Sequence, residues 1–148
     1  STSAVRSDKV CTLAAVEKEG DAWVYTSDYL KNDENILYAA FKKQGVPVDE
    51  SMTAKELMVA KVSEDGGALE HASDLVKQDK DVVLAAVRQK GVAWVHASDY
   101  LKNDKNVLFA AFKNQGIPVD ESMTAKQLMI AKVSQDGFGV IRYASANL

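Results

Sequence analysis

The stretch that decides the fold is Val82-Val83-Leu84-Ala85-Ala86-Val87-Arg88-Gln89-Lys90-Gly91-Val92-Ala93-Trp94. Val83, Ala86 and Val87 fall at i, i+3 and i+4, the spacing that puts apolar side chains on one face of a helix. Asp79 stands before the run, where its carboxylate can accept the orphan amides of a first turn. Gly91 follows it and suits the left-handed residue just past a helix end. The alanine pair leaves little side chain, so a neighbouring helix can approach closely.

The same pattern recurs along the whole chain. Glycines 20, 45, 66, 91, 116 and 137 are spaced by 25, 21, 25, 25 and 21 residues. Four residues before them stand Val16, Phe41, Val62, Val87, Phe112 and Val133. Six and five before stand Ala-Ala pairs, except at Ala60-Lys61 and Ala131-Lys132. A short unit is therefore nested in a long period of 71 residues, and residues 8–66 match 79–137 at 42 of 59 positions. A recent duplication explains that identity, and so would a site used twice.

Each unit reads as helix, glycine, helix. Asp8, Asp33, Asp79 and Asp104 are expected N-caps, and Thr53 with Glu56 and Thr124 with Gln127 are expected capping boxes. A second short helix is expected over 22–31, 68–77 and 93–102, with Trp23 and Trp94 turned into the core. In the 21-residue units it gives way to Gly45-Val46-Pro47 and Gly116-Ile117-Pro118, because proline disfavours helix at the residue before it. The glycine at which each unit's first helix stops, Gly20, Gly45, Gly66, Gly91, Gly116 or Gly137, is an expected left-handed helix end. Helices of about 11 residues are marginal alone, so stability must come from stacking. The fold class is all-α: helix-hairpin repeats stacked as an α-solenoid in two pseudo-symmetric halves. Residues 1–7 are expected to form a tail, 8–78 the first long repeat and 79–148 the second. The last unit breaks off within its second helix, which leaves room for a longer natural chain.

Composition narrows the job. The chain is 47% hydrophobic and 26% charged, with a net charge of -3 and a pI near 5.4. Basic and acidic residues are interspersed, so binding to nucleic acid or to an acidic membrane surface is not expected. No apolar run approaches the roughly 20 residues of a membrane span. The reading is of a soluble chain inside the cell or an organelle, and the start at Ser1 suits a processed mature chain. The lone Cys11 aligns with Val82 and is expected to be a buried small hydrophobe.

The residues 84–91, followed by Ala93-Trp94 and by Ala97-Ser98-Asp99-Tyr100-Leu101-Lys102-Asn103-Asp104, resemble the repeat of domain-of-unknown-function family 4116. The likeness extends over 8–45 and, more weakly, over 57–79 and 128–148. It lapses at the two proline loops, and Trp23 and Trp94 stand where the pattern usually has leucine. The resemblance implies a tandem helical-repeat protein and brings no catalytic residues.

No cluster has metal-ligand spacing, and no glycine loop suits a phosphate. His71 and His96 read as solvated helix faces. Ser27, Ser73, Ser98 and Ser145 recur beside Asp28, Asp74 and Asp99, which argues for packing, with the hydroxyl bonded back to its own helix. No enzyme and no cofactor is expected. The expected function is a non-catalytic module that binds or links protein partners, within a large complex or by self-association. The proline loops offer contacts at Pro47, Asp49, Glu50, Met52, Pro118, Asp120, Glu121 and Met123, although Met52 and Met123 also fit as hydrophobic staples. The alternative is a small-ligand or pigment carrier with an apolar pocket between the repeats, lined by Trp23, Trp94, Tyr38 and Phe109.

Overall fold

The computed structural model describes residues 2–136, with side chains from 9 to 135. The described residues hold six long helices: α1 (Thr2–Lys18), α2 (Glu34–Lys43), α3 (Ala54–Glu64), α5 (Lys80–Gln89), α7 (Lys105–Asn114) and α8 (Ala125–Asp136). Two single-turn helices, α4 (Asp74–Lys77) and α6 (Asp99–Lys102), lie between them. Each long helix packs on the next in chain order, α1 on α2, α2 on α3, α3 on α5, α5 on α7 and α7 on α8. This is the one-dimensional stacking of an α-solenoid. One apolar core runs through it from Val16 to Leu128, including the α3–α5 contact where the two sequence copies meet.

Local chemistry fixes the helix starts. Asp33, Asp79 and Asp104 each accept two amides of the following first turn, at 2.8–3.4 Å. Thr53 with Glu56 and Thr124 with Gln127 form reciprocal capping boxes. A lysine from the preceding helix also reaches each aspartate cap: Lys9 to Asp33, Lys55 to Asp79 and Lys80 to Asp104, at 3.0, 3.6 and 3.2 Å. The caps thereby tie neighbouring units together as well as starting their own helices.

The glycines divide into two kinds. Gly45 and Gly116 have φ of 86° and 83°. Val46 N–H donates to the Phe41 carbonyl and Gly45 N–H to that of Lys42, and Ile117 and Gly116 do the same to Phe112 and Lys113. These are Schellman helix ends, as expected of a C′ glycine. Gly20, Gly66 and Gly91 differ from the expectation: none has positive φ. Each opens a 3-10 turn, Gly20–Tyr25, Gly66–His71 or Gly91–His96. A Cβ there would lie 2.7, 2.5 or 2.4 Å from the carbonyl oxygen of Ala40, Ala86 or Ala111 on the next long helix. These glycines are required by close backbone approach, and the partner in each case is the second alanine of an Ala-Ala pair.

The proline loops use another joint. No 3-10 turn follows Gly45 or Gly116, and the second alanine is replaced by Lys61 or Lys132. These lysines lay their ammonium groups 5.9 Å from the ring centres of Phe41 and Phe112. Trp23 and Trp94 meet the same rings edge-on, at 5.3 and 5.4 Å. Two kinds of joint, glycine on alanine and lysine on phenylalanine, thus share the stack.

Four further features depart from the sequence reading. Residues 2–7, expected as a tail, belong to α1, which runs for 17 residues through Asp8 rather than starting from it. The expected second helices are each broken in two at Thr26-Ser27, Ala72-Ser73 and Ala97-Ser98. Thr26, Ala72 and Ala97 are extended, while Ser73 and Ser98 accept the amides of Val76 and Leu101 as N-caps. The serine hydroxyls therefore start new turns instead of bonding back to an old one. Cys11 is exposed, whereas its counterpart Val82 is buried against the core. Gly137, Ser145 and the unit over 140–148 lie outside the described residues.

Candidate interaction face

The long helices bury one face, Val82, Val83, Ala86 and Val87 on α5 for example, and turn another outward. The residue seven before each glycine stands on the outer face: Leu13, Tyr38, Val59, Leu84 and Phe109 are half-buried and Ile130 is exposed. Leu13 and Tyr38 line a groove between α1 and α2, Val59 and Leu84 one between α3 and α5, and Leu84 and Phe109 one between α5 and α7. The groove between α5 and α7 holds about 890 Å³. Leu84, Phe109 and Ala110 form its apolar part, and Arg88, Lys105, Lys113 and Glu121 its charged part. Lys113 holds its ammonium 5.5 Å from the Phe109 ring. Arg88 and Lys105 make no ion pair among the described residues. Asn114 is committed internally, accepting Gly91 N–H at 2.6 Å and donating to the Arg88 carbonyl at 2.9 Å. That bond ties the groove wall to the glycine joint beneath it.

The proline loops were the contacts expected from sequence, and their residues divide. Asp49 and Asp120 each accept hydrogen bonds from the hydroxyl and the amide of the serine two residues on. Those bonds, the serine hydroxyl first, hold both carboxyls below the usual 3.8. Lys105 adds a weaker pull on Asp120, and Glu121 of the same loop lines the α5–α7 groove together with Lys105. The aspartates are turn formers. Met52 and Met123 are half-buried against the core, directly before the capping threonines, at the staple position. Pro47, Pro118, Glu50 and Glu121 are exposed, and Glu121 reaches the α5–α7 groove. The groove residues Arg88, Lys105 and Lys113 were not singled out by the sequence reading.

The four aromatics considered for a ligand pocket do not share one cavity. Tyr38 lies in the α1–α2 groove with Leu13, and Phe109 in the α5–α7 groove. Trp23 is 1% exposed beneath a third groove beside Lys61 and His71, and Trp94 packs on Phe112.

Of the two histidines, His96 is half-buried. Burial pushes its imidazole below the ordinary 6.5, opposed by the Glu70 carboxylate and reinforced by Lys77, Lys102 and His71. A folded pKa below the unfolded one means the unfolded chain binds more protons in that range, so stability falls as pH drops through about 6.5. Two-dimensional NMR should show His96 titrating below 6.5, and His96→Gln should flatten the stability loss between pH 7 and pH 5.5.

Among the described residues no group of histidine, cysteine or carboxylate side chains could hold a metal ion, and no helix is long and apolar enough to cross a membrane. No curated protein and no solved structure matches the chain. Residues 55–95 match the model of the family described as Domain of unknown function (DUF4116). The matched stretch runs from α3 through α5 into the turn that opens at Gly91, and so holds one complete glycine-on-alanine joint, Gly66 on Ala86. Residues 55–95 are thus similar to DUF4116, the family that the repeat signature resembles.

Proposed function

We propose that the chain is a non-catalytic helical-repeat module that binds or links protein partners through the outward face of its long helices. The observation that carries this reading is the α5–α7 groove. Apolar floor, charged rim and a rigid wall tied into the core are the properties of a surface that takes a chain segment. The grooves repeat along the stack, which suits an extended partner or a larger assembly.

Blocking the groove tests the reading. Ala110 is half-buried on its floor, and Ala110→Arg fills it without touching the buried face of α7. Partners retained by the immobilised chain should be lost by this variant while its unfolding midpoint stays within a few degrees of the parent. A chain that stays monomeric in light scattering and retains nothing, or whose partners ignore Ala110→Arg, would overturn the proposal.

A further inference from the structure

The two sequence copies place equivalent grooves on the stack, one between α1 and α2 and one between α5 and α7. Their apolar parts are nearly the same: Leu13 and Leu84, Ala39 and Ala110, Tyr38 and Phe109. Their charges are not. Arg88 stands where the first copy has Glu17, and Lys105 where it has Glu34. Only three positions reverse charge between 8–66 and 79–137, all from acidic to basic, and two of them are at this groove; the third is Glu19 against Lys90. The first copy has 12 acidic and 7 basic residues, the second 7 and 8.

The cations of the second groove face little that neutralises them. Asp81, on the neighbouring α3–α5 side of Arg88, is already held by Lys55 at 2.7 Å. Among the described residues lining the groove Glu121 is the one carboxylate, against Arg88, Lys105 and Lys113; Asp120, beside it in the loop, interacts weakly with Lys105 and is already engaged by Ser122. In the first groove Glu17 sits with Lys42 and Lys43.

We infer that the two grooves have separate specificities, and that the α5–α7 groove takes an acidic protein segment: an apolar side chain on Leu84 and Phe109, flanked by carboxylates against Arg88 and Lys105. This rests on the protein-binding reading above and names the partner's chemistry. A segment with one apolar anchor matches a floor of this size, and paired carboxylates match an arginine and a lysine on opposite walls.

The test is selection from a random twelve-residue peptide library displayed on phage, against the whole chain and two double variants. The chain should enrich peptides with Asp or Glu around Leu, Ile or Phe. Arg88→Glu with Lys105→Glu, both at solvated positions, should abolish that bias and weaken an enriched acidic peptide by about tenfold or more. Glu17→Arg with Glu34→Lys should add a second acidic-peptide site, doubling the stoichiometry in calorimetry. Enriched peptides with no acidic bias, or a bias that survives Arg88→Glu with Lys105→Glu, would overturn the inference and leave the protein-binding reading standing. Acidic peptides that bind equally well without their apolar residue would also overturn it, as simple polyanion attraction. No enrichment with any variant would sink both.

Discussion

Phe41→Ala should lower the unfolding free energy by about 3–5 kcal/mol, the cost of emptying a buried aromatic site. Phe41 is fully buried at the point where three parts of the stack meet. Trp23 touches its ring edge-on from the 3-10 turn, the Lys61 ammonium lies 5.9 Å away on α3, and its carbonyl accepts the Val46 amide that ends α2. No neighbour is free to collapse into the space, because Trp23 and Val46 are themselves locked by the turn and the Schellman end. The transition midpoint in urea should therefore fall steeply. A double-mutant cycle of Trp23→Leu with Phe41→Leu should return a coupling of about 0.5–1.5 kcal/mol for the ring pair. A loss below about 1.5 kcal/mol for Phe41→Ala would mean that the joint does not rest on this ring.

Gly91→Ala comes next in size. Its new methyl would sit 2.4 Å from the Ala111 carbonyl oxygen, a backbone atom of α7 that cannot turn aside. Such overpacking costs about 1–3 kcal/mol. The turn would also be pushed off Asn114, whose side chain accepts the Gly91 amide. Gly116→Ala meets nothing within 4 Å and suffers only the left-handed backbone penalty, about 1 kcal/mol. Thermal or urea unfolding of the two variants separates the cases directly.

What the sequence disclosed, and what it withheld, follows from the range of the forces involved. The caps at Asp33, Asp79 and Asp104 and the boxes at Thr53 and Thr124 were legible because the bonds span two or three residues. The stack was legible because a 71-residue near-copy repeats its apolar spacing. The role of Gly91 was not: a glycine at a helix end reads alike whether it turns left-handed or makes room for a distant carbonyl. The separating sign lay in the alanine pairs. Ala60-Lys61 and Ala131-Lys132 lack the second alanine where no glycine turn has to dock. The short helices were drawn too long because Ser73 and Ser98 look like helix residues until their hydroxyls are seen capping new turns. Cys11 was misplaced because periodicity assigns the two copies the same burial, whereas Val82 is buried and Cys11 exposed. The groove was hidden in the seventeen positions where the copies differ. Those positions acquire meaning only when the fold brings 88 and 105 to opposite walls.

The glycine division holds the account together, and asparagine tests it most directly, since this residue tolerates the left-handed region but has a bulky Cβ substituent. Equilibrium urea unfolding of Gly91→Asn and Gly116→Asn should give opposite outcomes. Gly116→Asn should stay within about 0.5 kcal/mol of the parent, and Gly91→Asn should lose at least as much as Gly91→Ala, about 1–3 kcal/mol. Equal small losses at both sites would show that Gly91 is an ordinary helix end, and that the stack is not built on close approach of glycine to alanine.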